Sequence, residues 1–247
     1  MIELRHISFS YNSQPILFNF NLSLLGAKST VLIGPSGCGK STILKLINGL
    51  ISAQKGDVLI DQQAVTQSNV ISIRRKMGYL IQQGGLFPNM TAKQNITLMA
   101  RRLKWTSSKI NNRLNELAEL TRIDSELLSR FPNNLSGGQQ QRVSLMRALM
   151  LDPDILLLDE PFAALDPLTK NELQKNMLAI FKKLSKSVLL VTHDLNEAAF
   201  FADRIILLRQ GQIIQEGSID DLVNKPQNNF VEQFVSAQRS YLPGFTK

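Results

Sequence analysis

Apolar residues along the chain recur in two different periods. Thr30-Val31-Leu32-Ile33, Ile155-Leu156-Leu157-Leu158 and Val188-Leu189-Leu190-Val191 are short continuous runs, whereas Ile43, Leu44, Leu46, Ile47 and Leu50 fall at helical spacing. Continuous apolar strands imply burial on both faces, the habit of a parallel sheet covered by helices. Met77-Gly78-Tyr79-Leu80-Ile81 reads as a further strand, Ile2 to Leu24 and Asp57 to Asp61 as strand-rich, and Arg204 to Glu216 as a hairpin turning at Gln210-Gly211. From about Thr91 to Met150 the pattern is mainly helical, with Ile110, Leu114, Leu117 and Leu120 on one stripe and no convincing strand. The tail from Lys225, with Phe230 and Phe234 at helical spacing, predicts a short packed helix. The expected fold is α/β within one domain over 1–247: a core from 1–84 and 151–247 that includes an N-terminal antiparallel β subdomain, and an inserted α-helical subdomain at 85–150.

Composition narrows the class. The chain has 247 residues, 43% of them hydrophobic, which suffices for a substantial core and excludes a disulfide scaffold or a disordered tail. A single cysteine, Cys38, and an opening Met1-Ile2-Glu3-Leu4-Arg5 without signal-peptide character suggest a reducing cytoplasm. The longest apolar runs fall far short of the roughly 20 residues of a membrane helix. The net charge of +8 reads as solvated Lys and Arg: Arg74-Arg75-Lys76 and Arg101-Arg102 are short and lack interleaved aromatics, so no nucleic-acid partner is expected.

Chemistry enters at Gly34-Pro35-Ser36-Gly37-Cys38-Gly39-Lys40-Ser41-Thr42. This stretch follows a buried strand and opens an amphipathic helix, the setting of a Walker A phosphate loop. Glycines let successive N–H groups turn inward on phosphate oxygens, and the helix adds its positive end. Lys40 would reach the β- and γ-phosphates of ATP, and Ser41 would place its hydroxyl on Mg²⁺. Cys38 reads as a small side chain tolerated inside the loop, ahead of a redox role.

Two carboxylates, Asp159 and Glu160, follow the strand Ile155 to Leu158, at the strand edge where open α/β sheets bind ligands. Asp159 would hold Mg²⁺ and Glu160 would polarise the attacking water. A helix-capping acidic pair before Pro161 is the rival reading, weakened by the upstream phosphate loop. His193 leaves the strand Val188 to Val191 near the same edge and would contact the γ-phosphate. Gln82 would ligate Mg²⁺ or the water; the rival is an ordinary surface glutamine.

Leu135-Ser136-Gly137-Gly138-Gln139-Gln140-Gln141-Arg142 precedes a helical run just upstream of the two carboxylates. Ser136 and the Gly137 and Gly138 amides at a helix start form a second anion site. This octapeptide resembles the signature of ABC ATPases, and the chain is similar to that family from Tyr11 to the hairpin after His193. The resemblance implies a P-loop NTPase core of RecA-like type and a head-to-tail dimer with a second copy or a homologous ATPase subunit. In that dimer Ser136 to Gln139 of one copy contact the γ-phosphate held by Gly34 to Thr42 of the other. It further implies that Tyr11 stacks on adenine, Gln82 is the Q-loop glutamine, Asp166 the D-loop aspartate and His193 the switch histidine. The D-loop reads Ala163-Ala164-Leu165-Asp166, where many relatives carry Ser before Ala-Leu-Asp, which removes a hydroxyl contact there.

By the same resemblance, integral-membrane permease subunits dock in a groove formed by the Gln82 segment and the helical insertion, placing the chain on the cytoplasmic face of the inner membrane. Ile81-Gln82-Gln83-Gly84-Gly85-Leu86-Phe87-Pro88-Asn89-Met90-Thr91, followed by Asn95-Ile96, resembles ATPases of importers that use a separate solute-binding protein. The double glutamine and Leu103-Lys104-Trp105 look like quaternary-amine osmoprotectant systems for glycine betaine, carnitine or choline. Many such relatives continue into cystathionine-β-synthase-type repeats; the sequence ends at Lys247, so ionic-strength sensing through them is not expected. Trp105 reads as a packing residue rather than a cation-π site. Rival functions are amino-acid or lipid transport, or a soluble ABC ATPase of DNA repair or translation. The second class would need a coiled-coil arm or a second cassette, and a P-loop kinase would not need Leu135 to Gln139.

Overall fold

The computed structural model describes every residue except Leu25, Gln83, Ala164 and 239–247. The second glutamine after Ile81, Ala164 of the D-loop and the C-terminal end therefore lie outside the described residues, whereas Ala163, which stands in the place of the D-loop serine, is described and exposed. The chain forms two compact units: Met1–Arg74 with the described residues from Ser187 onward, and Arg75–Lys186.

In the first unit, β1 (Ile2–Tyr11) and β2 (Gln14–Leu24) form an antiparallel hairpin whose turn residues, Asn12 and Ser13, both take positive φ. That backbone matches strand twist in two-residue hairpins. A bulge at Arg5-His6, with His6 at φ 52, returns Ile7 to the same buried face as Ile2 and Leu4. β3 (Ser29–Ile33) then leads into α1 (Lys40–Ile47). Leu50 shares the helical spacing but not the helix: Gly49, at φ 62, ends it and leaves Leu50 half exposed. Arg74, within α2 (Val70–Arg75), donates to the Asn48 and Gly49 carbonyls and satisfies that helix end. β4 (Lys55–Ile60) pairs with β1, and β5 (Gln63–Ala64) with β4, which completes the antiparallel N-terminal sheet.

The second unit begins with β6 (Met77–Leu80), continues through α3 (Ala92–Arg102), α4 (Ser107–Thr121) and α5 (Gly137–Leu149), and then reaches β7 (Ile155–Asp159) and α6 (Pro167–Leu184). β6 runs parallel to β7, with Met77 opposite Ile155 and Leu80 opposite Leu158. Among the described residues no strand interrupts α3 to α5. Ile110, Leu114 and Leu117 form the buried stripe of α4. Each helix start is written in the sequence: Thr91, Thr106, Ser136 and Asp166 accept from the backbone N–H three residues on. Asn95, fully buried, uses its amide to accept from Phe87 N–H and to donate to the Phe87, Met90 and Thr91 carbonyls, which fixes the loop before α3.

Back in the first unit, β8 (Ser187–Val191) and β9 (Arg204–Arg209) flank β3, and both run parallel to it. Flanking on both edges leaves Val31, Leu32 and Ile33 fully buried, as their unbroken apolar run predicts. α7 (Leu195–Phe201) lies between β8 and β9, and β10 (Gln212–Gly217) closes the expected hairpin through Gln210 and Gly211 at φ 49 and 73. α8 (Ile219–Asn224) and α9 (Asn229–Gln238) follow. In α9 the buried residues are Val231 and Val235, while Phe230 and Phe234 pair with each other on the flank.

Candidate functional site

The phosphate loop emerges where β3 ends. Gly34, Gly37 and Gly39 take φ of 150, 78 and 106, conformations that side chains resist, so the chain curls back on itself before α1 starts at Lys40. At Gly34 glycine is also required by space, because a Cβ would collide with the Leu208 carbonyl of β9. Lys40 is buried, and its ammonium donates to the Gly34 carbonyl at 2.7 Å and the Pro35 carbonyl at 3.0 Å. Pro35, Ser36 and Gly37 form the exposed rim; Ser41 is half-buried and Thr42 buried. Cys38 is buried, and desolvation pushes its thiol pKa up, partly opposed by the Lys40 ammonium. That favours an inert thiol and counts against a redox role at this position.

Sequence pattern gave no sign that the turn of the β9–β10 hairpin also holds this loop. Gly211 N–H donates to the Cys38 carbonyl at 3.1 Å. His193 follows β8, whose register sets Val191 opposite Leu32, so it leaves the sheet at the edge from which the loop departs. Its side chain is exposed. Tyr11, at the end of β1, is 40% exposed and meets Phe9 edge-on with ring centroids 4.7 Å apart.

In the second unit, β7 delivers Asp159 buried and Glu160 half-buried. Glu160 sits at φ 44, a left-handed backbone that is uncommon for a non-glycine residue and turns it out of the strand direction. The Gln82 amide, just past β6, donates to a Glu160 carboxylate oxygen at 3.3 Å. Gln82, Glu160, Gly137 and Gln141 are among the residues lining a cavity of about 240 Å³. Gln141 anchors this wall by donating to the Pro161 carbonyl at 2.6 Å.

Tyr79 was not singled out from the sequence, yet its hydroxyl bonds the Asp159 carboxylate. The strand register that sets Tyr79 opposite Leu157, two residues before Asp159, brings the two together, and no local sequence pattern announces that register. Burial, then the Asp159 charge, push the Tyr79 pKa well above its ordinary 10.0. The neutral phenol is thus favoured in the folded state. Its stabilisation is complete below pH ~10 and is lost as pH rises beyond that, where the unfolded chain ionises first. Tyr79→Phe is expected to flatten the alkaline loss of stability, as read by thermal melts between pH 8 and 11.

Ser136 and Gln139 cap α5 reciprocally: the Ser136 hydroxyl accepts from Gln139 N–H at 3.3 Å and the Gln139 side chain accepts from Ser136 N–H at 2.9 Å. Gly137 is exposed, whereas Gly138 is buried because a Cβ there would strike the Thr169 methyl of α6. Ser136→Ala is expected to cost about 1 kcal/mol of stability, measurable by chemical denaturation. Further along α5, Arg147 donates to the Gly84 and Gly85 carbonyls, both at 2.8 Å, and the Ser144 hydroxyl donates to Gly84 at 3.0 Å. The sequence reading did not identify this clamp on the segment after Gln82. Asp166 serves as the N-cap of α6, accepting from Thr169, and these bonds lower its pKa.

Among the described residues no cluster of three or more His, Cys, Asp or Glu side chains could hold a metal, and no helix is long and apolar enough to cross a membrane. The hydroxyl of Ser41, the carboxylate of Asp159 and the amide of Gln82 are hard oxygen donors, the kind Mg²⁺ takes together with phosphate oxygens and water.

The fold and its phosphate loop place the chain in the P-loop NTPase fold class. The ABC transporter family profile matches residues 17–163. The choline transport ATP-binding protein OpuBA of Bacillus subtilis is 42% identical over 97% of this chain and 63% of its own length. The glycine betaine uptake system ATP-binding protein YehX of Escherichia coli is 42% identical over 95% of this chain and 76% of its own. The dimeric ATP-binding cassette MJ0796, in a post-hydrolysis state bound to ADP and Pi, superposes with a TM-score of 0.79 at 32% identity, covering 89% of this chain and 99% of that one. The chain belongs to the ABC transporter family. It spans less than two thirds of the length of OpuBA.

Proposed function

We propose that the chain is the ATP-binding and ATP-hydrolysing subunit that powers an ABC importer of quaternary-amine osmoprotectants such as glycine betaine, working as a dimer against integral-membrane permease subunits at the cytoplasmic face of the inner membrane. The observation that carries the ATPase reading is the Gln82–Glu160 hydrogen bond in a cavity that Gly137, the first residue of α5, also lines. A carboxylate and an amide meeting at one wall suit a water-activating pair: Glu160 takes the proton of the attacking water and Gln82 orients it.

In this reading the loop from Gly34 to Gly39 wraps the phosphates with backbone N–H groups, and Lys40 turns its ammonium from the loop carbonyls to the β- and γ-phosphates. Ser41 offers its hydroxyl to Mg²⁺. Asp159, held by the Tyr79 hydroxyl, and Gln82 offer further oxygens to the ion. Bound there, Mg²⁺ neutralises charge that develops on the transferred phosphoryl group. Tyr11 stacks on adenine, and His193 steadies the γ-phosphate. Ser136, Gly137, Gly138 and Gln139 of a second copy cover that phosphate from the opposite side, and Asp166 lies along the contact between copies. Closure on ATP and release after hydrolysis give the permease a two-state partner to follow.

The names of OpuBA and YehX, choline transport and glycine betaine uptake, support the cargo class; a separate solute-binding protein completes such a system. Reconstitution with a permease and a solute-binding protein of the quaternary-amine importer class tests the proposal. Glycine betaine, choline or carnitine should stimulate ATP hydrolysis and enter vesicles, whereas stimulation only by an amino acid or a lipid would reject the cargo and keep the motor.

A further inference from the structure

Glu197 lies in the first turn of α7, is 3% exposed, and has no place in the mechanism above. A carboxylate this deep is costly to desolvate, so its contacts carry information about what it is for. It accepts a hydrogen bond of 2.5 Å from the hydroxyl of Thr192, itself 2% exposed. The same hydroxyl accepts from the N–H of Asp194 at 3.1 Å. A threonine hydroxyl has one proton to give, and giving it to Glu197 directs its lone pairs at Asp194. Thr192 and Asp194 are the two neighbours of His193. The backbone on either side of the histidine is therefore held by one hydroxyl whose orientation Glu197 dictates.

Two further bonds fasten the same turn. Thr192 N–H donates to the Leu32 carbonyl of β3 at 3.1 Å, and Leu195 N–H donates to the Gln238 side chain at 2.7 Å. His193 thus projects from a turn whose backbone is fixed to the strand that feeds the phosphate loop. We propose that Glu197 and Thr192 are positioning residues for His193: the buried carboxylate sets the hydroxyl, the hydroxyl sets the turn, and the turn aims the imidazole. This rests on the reading of His193 as a γ-phosphate contact.

Turnover and ring environment are both measurable, because the chain has only two histidines, His6 and His193, so a His6→Gln background assigns the His193 imidazole signals in NMR. Thr192→Val keeps the β-branched shape and removes the hydroxyl. It is expected to lower kcat for Mg-ATP by about 10- to 100-fold, with KM for ATP within about twofold, because misplacement by about 1 Å carries costs of this order. The His193 signals should shift or broaden. Thr192→Ser, which restores the hydroxyl, should recover most of the loss. Since Thr192→Val takes a hydrogen bond from a buried carboxylate, the double variant Thr192→Val/Glu197→Leu removes both groups of that bond and should fold with the same kcat defect. His193→Ala supplies the reference. If it lowers kcat while both valine-bearing variants turn over normally with unchanged His193 signals, the positioning role is overturned and the motor reading stands. If His193→Ala itself turns over normally, the reading of His193 fails and the positioning role falls with it.

Discussion

Glu160→Gln is expected to bind Mg-ATP as the parent does and to hydrolyse it about 10²- to 10⁴-fold more slowly, the range lost with a positioned general base. The substitution is nearly isosteric. Its side-chain carbonyl can still accept the hydrogen bond that Gln82 gives at 3.3 Å, so the cavity wall and the left-handed backbone at residue 160 are retained. What disappears is the capacity to take a proton from water. With closure intact and hydrolysis blocked, the variant should accumulate as a Mg-ATP dimer, read by light scattering against phosphate release in the same sample. Parental turnover would remove Glu160 from the base role. A strictly monomeric variant, even beside its permease, would remove the paired-copy arrangement.

Lys40→Met is expected to weaken ATP binding by about 10- to 100-fold, in line with about 1.5–3 kcal/mol for hydrogen bonds to a charged group. Lys40 is 6% exposed and already bonded to two carbonyls of its own loop, so the ammonium is held inside the concavity. Methionine matches the length and apolar stem without the charge, which limits the effect on packing beside Ile43 and Leu44, both fully buried. Titration with a fluorescent ATP analogue reads the affinity, and a thermal melt without nucleotide checks the fold. Unchanged affinity would detach the lysine from phosphate recognition.

Much of this architecture was legible because its signals are local. Unbroken apolar runs of three and four residues identified β3 and β7, and Thr91, Thr106, Ser136 and Asp166 marked helix starts through their own side chains. Boundaries set by backbone sign were harder: Leu50 fits the helical period, but Gly49 reverses φ before it. The aromatic pair in α9 drew attention by size, while burial went to the smaller Val231 and Val235. Around the candidate site, the phosphate loop, Asp159, Glu160 and Gln82 stood out through spacing and strand context. Tyr79, Thr192, Glu197 and the Arg147 clamp did not, because each acts on a partner through a fold that no periodicity encodes; Arg147 reaches a carbonyl 63 positions away.

That clamp has a mechanical consequence. Ser144 and Arg147 lie eight and eleven positions beyond Ser136 on one unbroken helix, a stiff rod of about 12–16 Å at about 1.5 Å per residue. In the segment after Gln82, Gly84 and Gly85 are latched to one end of that rod by three hydrogen bonds. Shifting the segment alone means breaking the latch; shifting it intact swings the far tip where Ser136 sits. The two glycines thereby act as the handle of a rigid lever.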